Sequence, residues 1–170
     1  MLCSSCRFNK VNQHFPMNNK ILLIDSSKEQ CAALSAQLSQ NYNITCTHTG
    51  TEGYQALLNG EEYLVVLLEL DMPDISGLEL FRRYQQNYPD KSISTIILSN
   101  QVADDTLLQC FELGAEHFVS KSSSIEVINK RIQNLVDYKH KVHSLSIEEN
   151  KLTELVNISM TQSSFYGASL

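Results

Sequence analysis

LVVLLELDMPDISGLEL, running from Leu64 to Leu80, decides how this chain folds. Leu64 to Leu68 are apolar without alternation, the pattern of a strand covered on both faces. An acid, Glu69, stands at the end of that run, and a loop carrying Met72 and Pro73 follows. Gly77 then opens a segment with Leu78, Phe81 and Tyr84 at helical spacing, closed by Pro89. A buried strand that ends in a carboxylate and turns at once into an amphipathic helix is one half of a parallel α/β unit.

The same alternation extends in both directions. Upstream, Ile21 to Ile24 is a continuous apolar run ending at Asp25, and Ser26 or Ser27 is placed to cap a helix. That helix carries Cys31, Leu34, Leu38 and Tyr42 at helical spacing. Asn43 to His48 reads as a more polar edge strand. Thr51 to Asn59 reads as a helix with Tyr54, Leu57 and Leu58 on one face, stopped by Gly60. Downstream, Ser92 to Leu98 is strand-like, and Ala103 to Leu113 is a helix with Leu107, Cys110 and Phe111 inward, ended by Gly114. Glu116 to Val119 is the last short strand, and a final helix begins near Ser124. Five strands alternating with five helices predict right-handed crossovers and a doubly wound parallel sheet. Sites in such sheets lie at the carboxyl ends of strands, where strand order reverses. Asp25, Glu69, Ser99 and Lys121 all fall at such ends.

From Lys20 to about Val136 these residues resemble the receiver (response-regulator) domain family of two-component signalling. The resemblance implies a flavodoxin-like sheet of order 2-1-3-4-5. It implies a phosphate site built from an acidic pair after the first strand, an aspartate after the third, a Ser or Thr after the fourth and a lysine after the fifth. On that pattern Asp25 matches the first acid, Ser99 the hydroxyl that contacts the phosphoryl group, and Lys121 the lysine that neutralises it. Phe118 falls at the aromatic switch position, and Met72, Pro73, Gly77 and Leu78 match the loop and helix start after the acceptor.

Three departures bear on activity. Ser26 stands where the second acid would bind magnesium, Glu69 stands at the acceptor, and Ser122 replaces the proline that normally follows the lysine. Magnesium demands near-octahedral oxygen ligands, and a misplacement of about 1 Å can cost on the order of a hundredfold in rate. The resemblance therefore implies a degenerate, phosphorylation-independent receiver in which Glu69 supplies fixed negative charge and Lys121 its counter-ion. Such a domain acts by binding protein partners (a histidine kinase or an output module) or by dimerisation. It needs no cofactor, although Asp25, Glu69 and Asp71 could hold magnesium weakly.

Plainer readings stand beside these roles. Lys121 could be a surface lysine, Ser99 a helix cap or a switch, Phe118 a packing residue, and Asp71 a loop acid whose carbonyl matters more than its carboxylate. A conventional magnesium-dependent, phosphorylated response regulator is the main alternative function. A phosphotransferase or phosphatase using Asp25 and Asp71 is a third. Against it, the sequence has no nucleophile with a positioned base, no glycine-rich phosphate loop and no His pair.

Composition bounds the rest. At 170 residues the chain suits one domain plus an extension, and 42% apolar residues allow a real core. No run approaches the roughly 18 to 20 apolar residues of a membrane span, and the amino end lacks the apolar core of a secretory signal, so a cytoplasmic location is expected. A net charge of −6 argues against a nucleic-acid surface; the basic group Lys130, Arg131, Lys139, His140, Lys141 and His143 reads as a solvated helix face. The five cysteines make no disulfide framework. Cys31 and Cys110 suit buried helix faces, and the lone pair Cys3 and Cys6 is assigned no metal. The expected organisation is a disordered segment at 1–18 (Met17 offering an alternative translation start), a receiver-like domain at 19–137 and a helical extension at 138–170 leading into a truncated output region. In the extension an apolar stripe through Val142, Leu145, Leu152 and Val156 predicts a homodimer by helix pairing, with Phe165 and Tyr166 near a cut end.

Overall fold

The computed structural model describes residues 19–89 and 93–166. Five strands and five helices alternate: β1 (Lys20–Ile24), α1 (Lys28–Leu38), β2 (Asn43–Thr47), α2 (Gly50–Leu58), β3 (Val65–Glu69), α3 (Gly77–Asn87), β4 (Thr95–Ser99), α4 (Asp104–Glu112), β5 (His117–Ser120) and α5 (Ile125–Tyr166). All neighbouring strands pair parallel, in the order β2-β1-β3-β4-β5. The doubly wound architecture expected from the alternation is the one observed.

Strand pleating divides the core into two layers. Ile21, Leu23, Val65, Leu67, Ile96 and Leu98 face α1 and α5, meeting Leu34, Leu38, Ile128, Ile132 and Leu135. Leu22, Ile24, Val66, Leu68 and Ile97 face the other way, onto α2, α3 and α4. Both layers are apolar because both sheet faces are covered, and each fully buried Leu or Ile contributes about 1.5–3 kcal/mol.

Register positions the site. Ile24 pairs with Leu68, Glu69 with Leu98, and Ser99 with Ser120, so the carboxyl ends of β1, β3, β4 and β5 finish side by side. Close backbone approach fixes the path of the chain after β3. A Cβ on Gly77 would lie 2.1 Å from the Glu69 carbonyl oxygen, and the Gly77 N–H donates to the Leu70 carbonyl at 2.9 Å. Only glycine lets the start of α3 sit against the end of β3 in this way.

Several expected details differ. α1 ends at Leu38, and Tyr42 lies beyond it, partly buried against the α1–α5 layer. Leu58 and Phe111 are 36% and 42% exposed rather than inward. α2 and α4 are nine-residue helices whose buried positions are small, Gly50, Gly53 and Ala56 in one and Cys110 in the other. A Cβ on Gly53 would meet Ile24 at 2.6 Å, so α2 lies too close to the sheet to turn bulky residues under it. β4 begins at Thr95, and residue 92 lies outside the described residues. The expected readings at Cys3, Cys6, Met17 and the 1–18 segment also lie outside them.

α5 runs for 42 residues, roughly 60 Å at about 1.5 Å per residue. Ile128, Ile132, Leu135 and Val136 are buried. Past Asp137 the helix leaves the core, and Tyr138, Val142, Leu145, Leu152 and Leu155 are between 47% and 64% exposed. The side chains of Val156, Phe165 and Tyr166 lie outside the described set. No helix among the described residues is long and apolar enough to cross a membrane.

Candidate functional site

Asp25 leaves β1 with its backbone N–H bonded to the Thr47 carbonyl of β2 at 3.1 Å, and its side chain is fully buried. Oδ1 accepts the Ser27 N–H at 2.8 Å. Ser27 is the N-cap of α1, its Oγ accepting from the Gln30 N–H at 3.2 Å. The Asp25 carbonyl accepts from Cys31 Sγ at 3.4 Å, and His48 Nδ1 lies 3.2 Å from it. These contacts fix the β1–α1 turn and leave Ser26 facing β3.

Glu69, at the carboxyl end of β3, is 7% exposed. Its Oε2 accepts two hydrogen bonds from one residue, the Ser26 N–H at 2.8 Å and the Ser26 hydroxyl at 2.7 Å. Its Oε1 accepts from the Lys121 ammonium. Lys121 follows β5, its N–H bonded to the Ser99 carbonyl at 3.2 Å, and its side chain is 7% exposed. The same ammonium lies 2.8 Å from Asp25 Oδ2, a charge contact at an atom that takes no hydrogen bond. Ser26 itself is exposed and forms the solvent edge of the cluster.

Two buried carboxylates thus share one buried ammonium. Burial pushes Asp25 above the ordinary carboxyl range and the charge of Glu69 adds to it, while Lys121 and the Ser27 N–H pull the other way without prevailing. Burial would raise Glu69 too, but Lys121 and the paired Ser26 bonds outweigh it and hold that carboxyl below its usual value. Glu69 is therefore the acid whose charge the pocket is built to keep. Cys31, beside Asp25, is pushed up to about 12, chiefly by burial, and is a packing thiol.

Asp25, Ser26, Glu69 and Lys121 meet; the other sequence candidates stand apart. Ser99 is buried and donates to the Gln101 carbonyl at 3.1 Å. It does not cap α4, whose N-cap is Ala103 without a side-chain bond; Ser99 precedes the helix by too many residues for its hydroxyl to reach the first free N–H groups. Phe118 is half-buried and lines an open cleft with Gln101, Val102 and Leu107. Asp71 is exposed, and among the described residues no three His, Cys, Asp or Glu side chains come together to hold a metal ion. Ser122 is exposed, and no described peptide bond is cis.

Two contributions were not visible beforehand. Ser26 reads in the sequence as a lost metal ligand, whereas here it is a double donor. Asp74, in the β3–α3 loop, accepts the Gly50 and Thr51 N–H groups, each at 2.8 Å. An anion on the first turn of α2 meets the positive end of the helix, and the hydrogen bonds from Thr51 above all hold its carboxyl well below the usual range. Neither signal is local, because each bond spans a different strand–helix unit.

The model of the response regulator receiver domain family matches residues 21–133. A Vibrio cholerae protein named a probable cyclic di-GMP phosphodiesterase is 30% identical over 143 residues, covering 77% of this chain and 32% of its own. The uncharacterized transcriptional regulatory protein YkoG of Bacillus subtilis is 31% identical over 114 residues, covering 66% of this chain and 49% of its own. The chain thus spans about a third to a half of the length of these curated relatives. A CheY-like response regulator receiver domain protein from Methanospirillum hungatei superposes with a TM-score of 0.66 at 19% identity, over 72% of this chain and 97% of that one; the likeness shows the fold.

Replacing Lys121 by Met tests the shared cation. Removing one partner from a buried ion pair costs about 3–5 kcal/mol, and here it strands two carboxylates. Without the ammonium, burial raises both acids in the folded state. The folded state then binds protons more readily than the unfolded chain, so stability rises as pH falls. Urea denaturation should show K121M far below wild type at pH 7, with the gap narrowing as the acids protonate toward about pH 4.

Proposed function

This chain belongs to the response regulator receiver domain family, and from that premise we propose that it is a phosphorylation-independent member. Glu69 occupies the acceptor position and supplies permanent negative charge, and the domain signals through protein contacts. The observation that carries this reading is the engagement of both Glu69 oxygens, Oε1 by Lys121 and Oε2 by Ser26. Phosphoryl transfer to a carboxylate needs a free oxygen aimed in line with the leaving group and a divalent cation to take up charge. The extra methylene of Glu carries the carboxylate across the pocket to Ser26 and uses the oxygen that would attack.

The partners that fit are a histidine kinase or an output module, in a cytoplasmic setting, and the domain needs no catalytic activity of its own. The relatives bearing regulator names fit this. The phosphodiesterase name belongs to a protein of which this chain matches 32%. The conventional reading has its own support, because Asp25, Ser99 and Lys121 all stand at strand carboxyl ends. One measurement separates the two. Incubation with magnesium and acetyl phosphate should leave the intact mass unchanged; a stoichiometric gain of one phosphoryl group on Glu69 or Asp25 contradicts the proposal.

The reading extends to a homodimer through α5. Tyr138, Val142, Leu145 and Leu152 fall on one seam with alternating four- and three-residue steps, interrupted at Glu149. Exposed apolar side chains spaced this way bury against a second helix for about 1.5–3 kcal/mol each, against an association cost of about 4 kcal/mol or more. The pairing is therefore weak and depends on the helix beyond Asp137. Light scattering at tens of micromolar should give a dimer mass for the full chain and a monomer for a version ending at Asp137. Two monomers would leave α5 as a linker.

A further inference from the structure

The receiver family works with a magnesium ion, so the donors at the Asp25–Glu69 site can be compared with what that ion requires. Magnesium takes six oxygens in near-ideal octahedral geometry, supplied by carboxylates, carbonyls and water. Ser26 offers a neutral hydroxyl whose proton is committed to Glu69 Oε2 at 2.7 Å, and its N–H adds a second bond to the same oxygen at 2.8 Å. Glu69 Oε1 faces the Lys121 ammonium. Asp25 Oδ1 accepts the Ser27 N–H at 2.8 Å. Asp25 Oδ2 takes no hydrogen bond, and the Lys121 ammonium already stands 2.8 Å from it. Asp71 is exposed and joins no cluster of ligating side chains. These donors do not fit magnesium.

We propose that Lys121 is the resident cation of this site and that a neutral residue at position 26, in place of a third carboxylate, keeps a divalent cation out. The inference rests on reading Glu69 as a carboxylate that does not accept phosphate. The charge count explains why position 26 decides. With Ser26 neutral, two carboxylates meet one ammonium, and the hydroxyl and N–H absorb the remaining negative charge at Glu69. An aspartate at position 26 would keep the N–H but exchange the hydroxyl donor for a third carboxylate beside Glu69. Three carboxylates around one ammonium form a site that a divalent cation satisfies and a lysine alone does not. Ser26 and Glu69 are thus a matched pair, the two donors of one meeting a single oxygen of the other.

The test compares the 170-residue wild-type chain with Ser26→Asp and Ser26→Ala. Uptake is read from the loss of the free Mn2+ resonance in electron paramagnetic resonance. Melting temperatures are read with and without MgCl2 at ionic strength matched with NaCl. Wild type and S26A should leave the Mn2+ signal intact and melt at the same temperature with or without magnesium. S26D should melt lower than wild type without metal, recover with magnesium and take up one Mn2+ per chain. A wild type that binds one Mn2+, with binding lost in Asp25→Asn, overturns the proposal, and so does a folded S26D that binds none. Should S26D fail to fold with or without metal, the wild-type titration decides: an intact Mn2+ signal supports the proposal, and uptake that Asp25→Asn abolishes refutes it. Uptake of Mn2+ by a wild type that gains no phosphoryl group from acetyl phosphate contradicts only the excluded cation. Phosphorylation of the wild type contradicts the reading of Glu69 itself.

Discussion

Two carboxylates taken out of water at the ends of β1 and β3 have to be neutralised, and the ammonium of Lys121 is what does it. Much of the local structure follows from that requirement. Lys121 has to come from the end of β5, so strand register must bring three strand ends level, and the parallel pairing through β4 does so. β4 lies between and ends in Ser99, a small residue whose hydroxyl is turned onto the Gln101 carbonyl. Ser26 completes the charge balance from the solvent side with two hydrogen bonds. The pocket's charges thus meet the chain's own groups, with Asp25 Oδ2 held by the charge of Lys121 alone.

The same constraint reaches the last helix. Lys121 precedes the first residue of α5 by four positions, and the opening turns of that helix bury Ile128 and Ile132 against the layer that contains Leu23, Leu67 and Leu98. Glu69 and the start of α5 are thus tied through one short segment. At the far end of the domain Lys139, just past the point where the helix leaves the core, reaches back to the Leu64 carbonyl at 3.5 Å. A change of charge at Glu69 and a change in the setting of α5 have a contiguous physical connection.

Much of this was legible in the residues, and the exceptions have physical reasons. Leu64 to Leu68 announced a central strand because covering on both faces removes alternation, and the strand-end polar residues followed from the topology. Asp25, Glu69 and Lys121 were readable as a group because each falls at a strand's carboxyl end and the resemblance to receivers joins them in one site. The use of Ser26 was not, since a serine after a strand looks the same whether it caps a helix, has lost a metal or donates to a glutamate in another unit. Asp74 was hidden for the same reason: its partners, Gly50 and Thr51, lie more than 20 residues away. Phe111 and Leu58 were misplaced because periodicity gives a face but not its width, and the close approach of α2 to the sheet at Gly53 leaves only small residues fully buried on that helix.

The shared lysine is tested most directly by following the carboxyl carbons of Asp25 and Glu69 by 13C NMR across a pH titration of the intact chain. Glu69 should titrate below the ordinary range for its type and Asp25 above it, because burial acts on both while Ser26 and Lys121 hold the charge on Glu69. Adding magnesium should move neither curve. Two independent titrations at ordinary carboxyl values, or a marked shift of both on adding magnesium, would contradict a pocket closed on its own cation.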